Sequence, residues 1–335
     1  MAMSPEHVDN RIKNAVDVLR RGGLVAFPTE TVYGLGADAT NDAAVQKIFE
    51  VKGRPSHNPL ILHFASLEAM LPSIDLSCGD LSSGEDSSKL LSQLQALSTF
   101  WPGPLSVVVP RGPGVSNAAC AGGSTVAVRI PNHPMALALL IAFGGPVAAP
   151  SANPSSYISP TTADHVRNSL GEKVDLVLDG GPCAIGLEST VLSLVHKVPT
   201  ILRPGAITAE ALSRTLNEPV STEANTTQNE ALLSPGLLSK HYSPKTRVVF
   251  RADYIPDPTR KLRIGVLLFS SYKGSFEAVE CRQLSETGSL EDIATGLFAA
   301  LRELDALDLD LIVVDSCGES GLGAAIMDRL RRAAH

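Results

Sequence analysis

Two α/β units joined by a polar segment are the fold class that the sequence predicts, and three observations predict it. Up to Leu216, short runs of Leu, Val, Ile and Ala of strand length alternate with segments whose apolar residues recur at helical spacing. The stretch 217–246 then turns polar, rich in Glu, Asn, Thr and Gln. From Arg247 the order strand, strand, helix, strand, helix describes a small sheet covered by helices. A length of 335 residues suits two domains, and 44% apolar with 19% charged residues supplies an ordinary globular core.

Over residues 8–19, Val8, Ile12, Ala15, Val16 and Leu19 share one helical face, and Gly22 and Gly23 stop the helix. Residues 24–27 read as a buried strand ended by Pro28, followed by Thr29, Glu30, Thr31 and Tyr33, with Gly34 and Gly36 as marks of tight backbone geometry. Asn41 or Asp42 caps a helix with the face Val45, Ile48 and Phe49; a loop over 51–59 and a strand over 60–64 follow. Alternation in that strand sets Leu60, Leu62 and Phe64 against Ile61 and His63.

Residues 78–89, rich in Ser, Gly and Asp, read as a solvated insertion before a helix over 89–100. The lone Trp101 reads as a packing anchor. Strands follow at 105–109 and 125–130, the second placing Thr125, Ala127 and Arg129 opposite Val126, Val128 and Ile130. Pro134 starts a helix over 135–143, and a strand over 146–149 enters a small-residue loop, 150–160, of the kind that cradles phosphates but also makes ordinary turns. Thr161 with Asp164 has capping-box-like spacing. Strands at 174–178 and 191–195, the segment 201–205 and a helix over 208–216 complete the first unit.

In the polar segment, Leu232, Leu233, Leu237, Leu238 and Tyr242 are too apolar for a free tether, so its second half is expected to lie on the protein. The second unit has strands at 248–250, 264–269 and 311–314 and helices at 290–304 and 322–332. Its turn from Gly318 to Gly323 has neither GxGxxG spacing nor a Walker lysine and reads as turn geometry.

A net charge of −7 gives no general attraction for polyanions, and no Lys/Arg run exceeds two, so tight nucleic-acid binding is not expected. Five scattered cysteines, odd in number and without CxxC spacing, argue against a disulfide framework and a zinc site. The longest apolar run, 135–143, is too short to span a bilayer, so a cytoplasmic protein without membrane attachment is expected.

The chemistry concentrates at strand ends. Lys52 and Arg54 flank Gly53, and Pro55 biases Arg54 towards an extended conformation in which both cations point the same way, as a polyphosphate requires. Asn58, His63, the loop Ser151-Ala152-Asn153 and Arg129 all sit at the ends of buried strands. No GxSxG turn, HExxH or metal-spaced cluster is present, and no pair of carboxylates stands out. Positioning and charge stabilisation, as in nucleotidyl transfer with magnesium brought by the nucleotide, are the chemistry that remains.

The ordered motifs PTETVYGLG, KGRPSHNPLILH, WPGPLSVVVP, STVAVRIPNHP, AAPSANPSS, SPTTADHV, LDGG, GLESTV and ILRPG resemble those of the YrdC-like L-threonylcarbamoyladenylate synthases. SPGLLSKHYSPK and GLGAAIMDRLRRAA resemble the linker and tail of the long form of that family. The resemblance implies a YrdC-like twisted mixed-sheet domain over 1–216, a lid-like linker over 217–246 and a small Rossmann-like α/β domain over 247–335. It implies an enzyme that makes threonylcarbamoyl-AMP and pyrophosphate from L-threonine, bicarbonate and ATP with Mg2+, the metal being carried by ATP and not by protein side chains. The product would pass to a separate tRNA threonylcarbamoyl-transferase acting on tRNAs that read ANN codons.

By the same resemblance Lys52 and Arg54 are catalytic and, with Ser151 and Asn153, surround the triphosphate. Thr31, His63, Arg129, Ala149 and Ser189 match threonine-site positions, Arg129 pairing with the amino-acid carboxylate. Arg54, Asn58, Thr125, Ser151, Ser159, Arg203 and Tyr242 match nucleotide-site positions, Tyr242 lying in the lid. Two residues depart from the pattern: Ser156 stands at a glycine place, where the loop backbone is expected to differ, and Asp328 at an asparagine place. The competing readings are a non-catalytic RNA- or nucleotide-binding module, opposed by the acidic charge and intact KxR and SxN motifs, and a carbamoyl-transfer enzyme of hydrogenase maturation, whose zinc-finger cysteines and acylphosphatase-like segment are absent.

Overall fold

The first unit is built on one mixed sheet. A computed structural model of the chain describes residues 5–77, 86–223, 242–256, 259, 261–271 and 278–334. Most of the expected insertion and the four linker leucines fall outside these residues. The first unit contains α1 (Pro5–Arg20), β1 (Val25–Phe27), β2 (Gly34–Asp38), α2 (Asp42–Lys52), β3 (Ile61–His63), α3 (Leu67–Met70), α4 (Asp86–Leu97), β4 (Leu105–Pro110), β5 (Thr125–Arg129), α5 (Pro134–Phe143), β6 (Val147–Ala148), α6 (Ala163–Leu170), β7 (Leu176–Val177), β8 (Thr190–Ser193), β9 (Thr200–Arg203) and α7 (Ala209–Leu216). Among the described residues its nine strands pair in the order β7-β1-β2-β6-β3-β5-β4-β8-β9. Parallel pairs (β1 with β7, β3 with β5, β4 with β8) and antiparallel pairs coexist, hence the mixed sheet.

The second unit holds β10 (Arg247–Phe250), β11 (Ile264–Leu268), β12 (Glu280–Gln283), α8 (Leu290–Asp305), β13 (Leu311–Val314) and α9 (Leu322–Ala333). Its strands run parallel in the order β10-β13-β11-β12. Parallel strands need crossovers, and α8 and α9 cover the sheet with Leu297, Leu301, Ile326 and Leu330 fully buried.

Period-two alternation holds where the sequence was most regular. Leu60, Leu62 and Phe64 enter the main core with Leu105, Val107, Val126 and Val128, while Ile61 and Ala127 face the other way with Val108 and Val191. Each such fully buried aliphatic side chain contributes about 1.5–3 kcal/mol relative to exposure. Trp101 is an anchor as expected, buried, with its indole N–H donated to the Leu105 carbonyl at 2.8 Å. Asn41 caps α2 by accepting from Ala44 N.

Several details differ from expectation. Gly34 and Gly36 lie inside strand β2 rather than in a turn, because a Cβ at Gly36 would stand 2.8 Å from the Phe27 ring and 2.9 Å from Val147. Thr162, not Thr161, caps α6. Strand β12 was not expected; it is an edge strand whose sequence, Glu-Cys-Arg-Gln, carries no apolar alternation. Ser156, which stands where the resemblance expects a glycine, has a left-handed backbone, at φ 65°. Among the described residues no helix is long and apolar enough to cross a membrane.

One apolar cluster crosses between the units. Val32, Ile158 and Leu187 of the first unit pack with Tyr242 and with Phe298, Leu301 and Ile326 of the second.

Candidate active site

The face of the first sheet that carries Ile61 and Ala127 is the floor of a cleft. Strands β3 and β5 are parallel neighbours in the register Ile61 with Ala127 and His63 with Arg129, so the histidine and the arginine stand side by side at the same end. The turn after β1 closes over that end. Thr29 Oγ1 accepts the N–H groups of Thr31 and Val32 and lies 2.8 Å from Thr31 Oγ1, which fixes the Thr31 hydroxyl.

Arg129 is not a free guanidinium. Its Nη2 donates to Glu30 Oε1 at 2.8 Å and to Thr31 Oγ1 at 2.9 Å, and its Nε to the Gly103 carbonyl at 3.3 Å. Glu30 also accepts the Asn132 N–H, at 3.0 Å. His63 is buried with Nδ1 3.2 Å from the Ile61 carbonyl and its ring edge-on to Phe27. Burial first, and the Arg129 charge second, lower its pKa to about 3, so the imidazole is neutral at physiological pH.

The cationic loop departs from expectation in a specific way. Lys52 is the last residue of α2, and Gly53, at φ 59°, caps the helix. The segment is therefore not extended, and the two side chains diverge. Lys52 Nζ donates to the Ser151 carbonyl at 2.5 Å and to the Asn153 carbonyl, tying α2 to the Ser151–Asn153 loop. Arg54 donates to the Asn58 carbonyl at 3.0 Å, to Asn58 Oδ1 at 2.5 Å and to the Pro59 carbonyl at 2.8 Å. Burial and, after it, the Arg54 charge push the Lys52 pKa down. Asn58 Nδ2 and Asn153 Oδ1 are buried without a hydrogen-bond partner among the described residues, one donor and one acceptor beside the cations. Such groups are rare in a finished core and belong where a ligand completes them.

The opposite wall comes from the residues around β8 and β9 and from Tyr242 of the linker, with the second unit behind it. Ser189 Oγ lies 2.8 Å from Ser106 Oγ and accepts from Arg203 Nη2 at 3.1 Å, while Arg203 Nε reaches the Ser189 carbonyl. The neighbouring Glu188 accepts the Ser159 hydroxyl on one oxygen and Arg329 Nε, at 2.9 Å, on the other. Tyr242, with a left-handed φ of 61°, is fully buried and stacks on Phe298 at 5.6 Å.

Of the residues expected at the site, Thr31, Arg54, His63, Arg129, Ala149, Ser151, Arg203 and Tyr242 line the cleft. Lys52, Asn58, Asn153, Ser159 and Ser189 stand behind them, each bonded to a lining or loop residue. Thr125 is set apart from the His63–Arg129 end, four residues along β5 from Arg129 and paired with Pro110; the parallel register of β3 brings it level with Pro59, at the Arg54 end. The sequence reading missed Glu188, which also borders the cleft, Glu30, which stands behind Arg129, and Arg329 behind Glu188. Both glutamates lie inside recognised motifs, PTETVYG and GLESTV, but their partners are 99 and 141 residues away. Among the described residues no three His, Cys, Asp or Glu side chains converge as a metal cage would require.

Residues 17–205 match the Sua5/YciO/YrdC family, described as telomere recombination, and residues 207–335 match the family described as threonylcarbamoyl-AMP synthase, C-terminal domain. The threonylcarbamoyl-AMP synthase of Bacillus subtilis is 40% identical over 97% of this chain and 93% of its own length. That of Pyrococcus abyssi is 38% identical over 96% of this chain and 94% of its own. The crystal structure of P. abyssi Sua5 complexed with L-threonine superposes with a TM-score of 0.82, covering 96% of this chain and 94% of that one. Matched by both family descriptions and by full-length relatives, the chain belongs to the Sua5/YrdC family of threonylcarbamoyl-AMP synthases.

Proposed function

We propose that this chain joins L-threonine, bicarbonate and ATP into threonylcarbamoyl-AMP and pyrophosphate. The observation that carries the reading is the convergence of Arg54, Arg129 and Arg203 on one cleft beside a neutral histidine and two buried amides that each keep one atom without a partner among the described residues. Its support from outside is a relative of nearly equal length whose structure holds L-threonine.

The amino acid would take the His63–Arg129 end, where Thr31, Ala149 and Ser189 stand, and its carboxylate would share Arg129 with Glu30. A neutral His63 offers a lone pair or an N–H to the substrate rather than a charge. The nucleotide would take the Arg54 end, with Asn58, Thr125, Ser151, Asn153, Ser159, Arg203 and Tyr242 around it. Threonine amine and bicarbonate combine with loss of water to a carbamate. A carbamate oxygen attacks the α-phosphorus, the bond to the bridging oxygen breaks, and pyrophosphate leaves with the electron pair. Arg54, Lys52 and Arg203 stabilise the charge that develops on the phosphates. Mg2+ is expected on the phosphates, since it binds through one or two carboxylates and substrate oxygens rather than all-protein cages. Exclusion of water protects both the carbamate and the mixed anhydride, and Tyr242 closes one side of the cleft. The product would go to a separate tRNA-modifying transferase in the cytoplasm.

The test is pyrophosphate release by the purified protein. Release should require both L-threonine and bicarbonate, and equal release without threonine would overturn the assignment.

A further inference from the structure

We infer that Arg329 of the second unit is a positioning residue for the cleft of the first, acting through Glu188 and Tyr242. Arg329 lies on α9 and is 1% exposed, the largest side chain so deeply buried among the described residues. Its Nε meets Glu188 Oε2 at 2.9 Å, its Nη1 meets Asp328 Oδ2 at 2.7 Å, and its guanidinium carbon stands 5.3 Å from the centre of the Tyr242 ring. One arginine of the second unit thus holds a carboxylate and an aromatic ring that both border the cleft of the first. A second arginine, Arg302 of α8, donates to the carbonyls of Ile158 and Ser159, so Ser159 is held on its backbone by Arg302 and on its hydroxyl by Glu188.

The physical need for Arg329 is charge balance. Glu188 faces the cleft within a wall that also carries Arg203, and an unpaired carboxylate there would repel the phosphates that the cleft is built to take. Arg329 cancels that charge without entering the cleft, fixes the Glu188 rotamer so that its other oxygen takes Ser159, and supports the Tyr242 ring from behind. Asp328, which replaces an expected asparagine, completes the guanidinium's surroundings and is itself paired with Arg332 at 2.9 Å.

The inference rests on the assignment of the cleft to ATP and threonine, and the unsubstituted protein is its control: without threonine- and bicarbonate-dependent pyrophosphate release, that assignment fails first. With it in hand, Arg329→Gln should raise the KM for ATP roughly tenfold, the effect of one uncompensated charge within about 10 Å at the effective dielectric of a protein site, and leave the KM for threonine within about twofold. Adenosine, which carries no phosphate, should bind the variant as well as the unsubstituted protein, as read by its competition with ATP. Glu188→Gln added to Arg329→Gln should recover most of the ATP KM, because the repelling charge is gone. An unchanged ATP KM in Arg329→Gln, or a double variant no better than the single, would overturn the inference and leave Arg329 a mere docking contact. If Arg329→Gln does not fold, Arg329→Lys serves: an ATP KM raised severalfold with kcat retained supports the role, and an unsubstituted KM removes it.

Discussion

Substitution of Glu30 by Gln tests the construction of the amino-acid end most directly. Glu30 and Arg129 form an ion pair with side chains only 7% and 5% exposed, and the second Glu30 oxygen takes the Asn132 N–H. A glutamine offers one acceptor oxygen to these two donors, and its NH2 must face the other. The loss of a charge-assisted bond costs about 1.5–3 kcal/mol and the stranded donor about 1–3 kcal/mol. The total agrees with the roughly 3–5 kcal/mol expected when one partner of a buried pair is removed. For a unit of this size, where about 1 kcal/mol moves the midpoint by 2–4 °C, thermal unfolding should come on the order of 10 °C earlier. Trp101 makes the measurement specific: it is the one tryptophan of the sequence and lies in the core of the first unit, so its fluorescence follows that unit alone. A midpoint within about 2 °C of the unsubstituted protein would refute the view that this pair holds Arg129 in place.

Three further outcomes follow from the geometry. Arg54→Ala removes the donors to Asn58 and Pro59 and should slow pyrophosphate release by about 10²–10³-fold with the circular dichroism spectrum unchanged; a normal rate would remove Arg54 from the chemistry. His63 has a folded pKa of about 3 against an ordinary 6.5, so the unfolded chain binds the extra proton between these values. Its contribution to stability is complete above pH 6.5 and is lost as pH falls towards 3, about 2 kcal/mol by pH 5. Urea unfolding should therefore weaken less between pH 7.5 and 5 in His63→Gln than in the unsubstituted protein, and equal losses would contradict the buried neutral imidazole. Gly205→Ala would place a Cβ 2.3 Å from the Thr190 backbone nitrogen and should cost about 3 kcal/mol in urea unfolding; an unchanged midpoint would mean that the β9–α7 loop yields.

How much of this was legible in the sequence depended on the range of the interaction responsible. Alternation along β3 and β5 is local, and it placed Ile61, His63, Ala127 and Arg129 on the correct face. The strand β2 was hidden because its glycines answer to Phe27 and Val147, residues whose approach no local pattern announces. Lys52 and Arg54 were singled out as a pair but given the wrong backbone, since Gly53 can end a helix as readily as it can extend a loop. Ser156 stands in the left-handed region that glycine favours, held there by its neighbours: Ser243 N donates to its carbonyl at 2.8 Å. Glu30, Glu188 and Arg329 went unread for one reason. A carboxylate in a motif acquires its role from the cation it meets, and here the cations come from distant parts of the chain.

The pairing of Glu188 with Arg329 also sets an order in time. The two residues are 141 positions apart, so at about 5–20 residues per second a ribosome needs on the order of ten seconds to make the second after the first. Once β9 is made the first sheet has every strand of its own, yet until α9 follows Glu188 lacks its Arg329 partner. On the role inferred for Arg329, competence for chemistry comes late in synthesis, when α9 docks, and not when the sheet itself first folds.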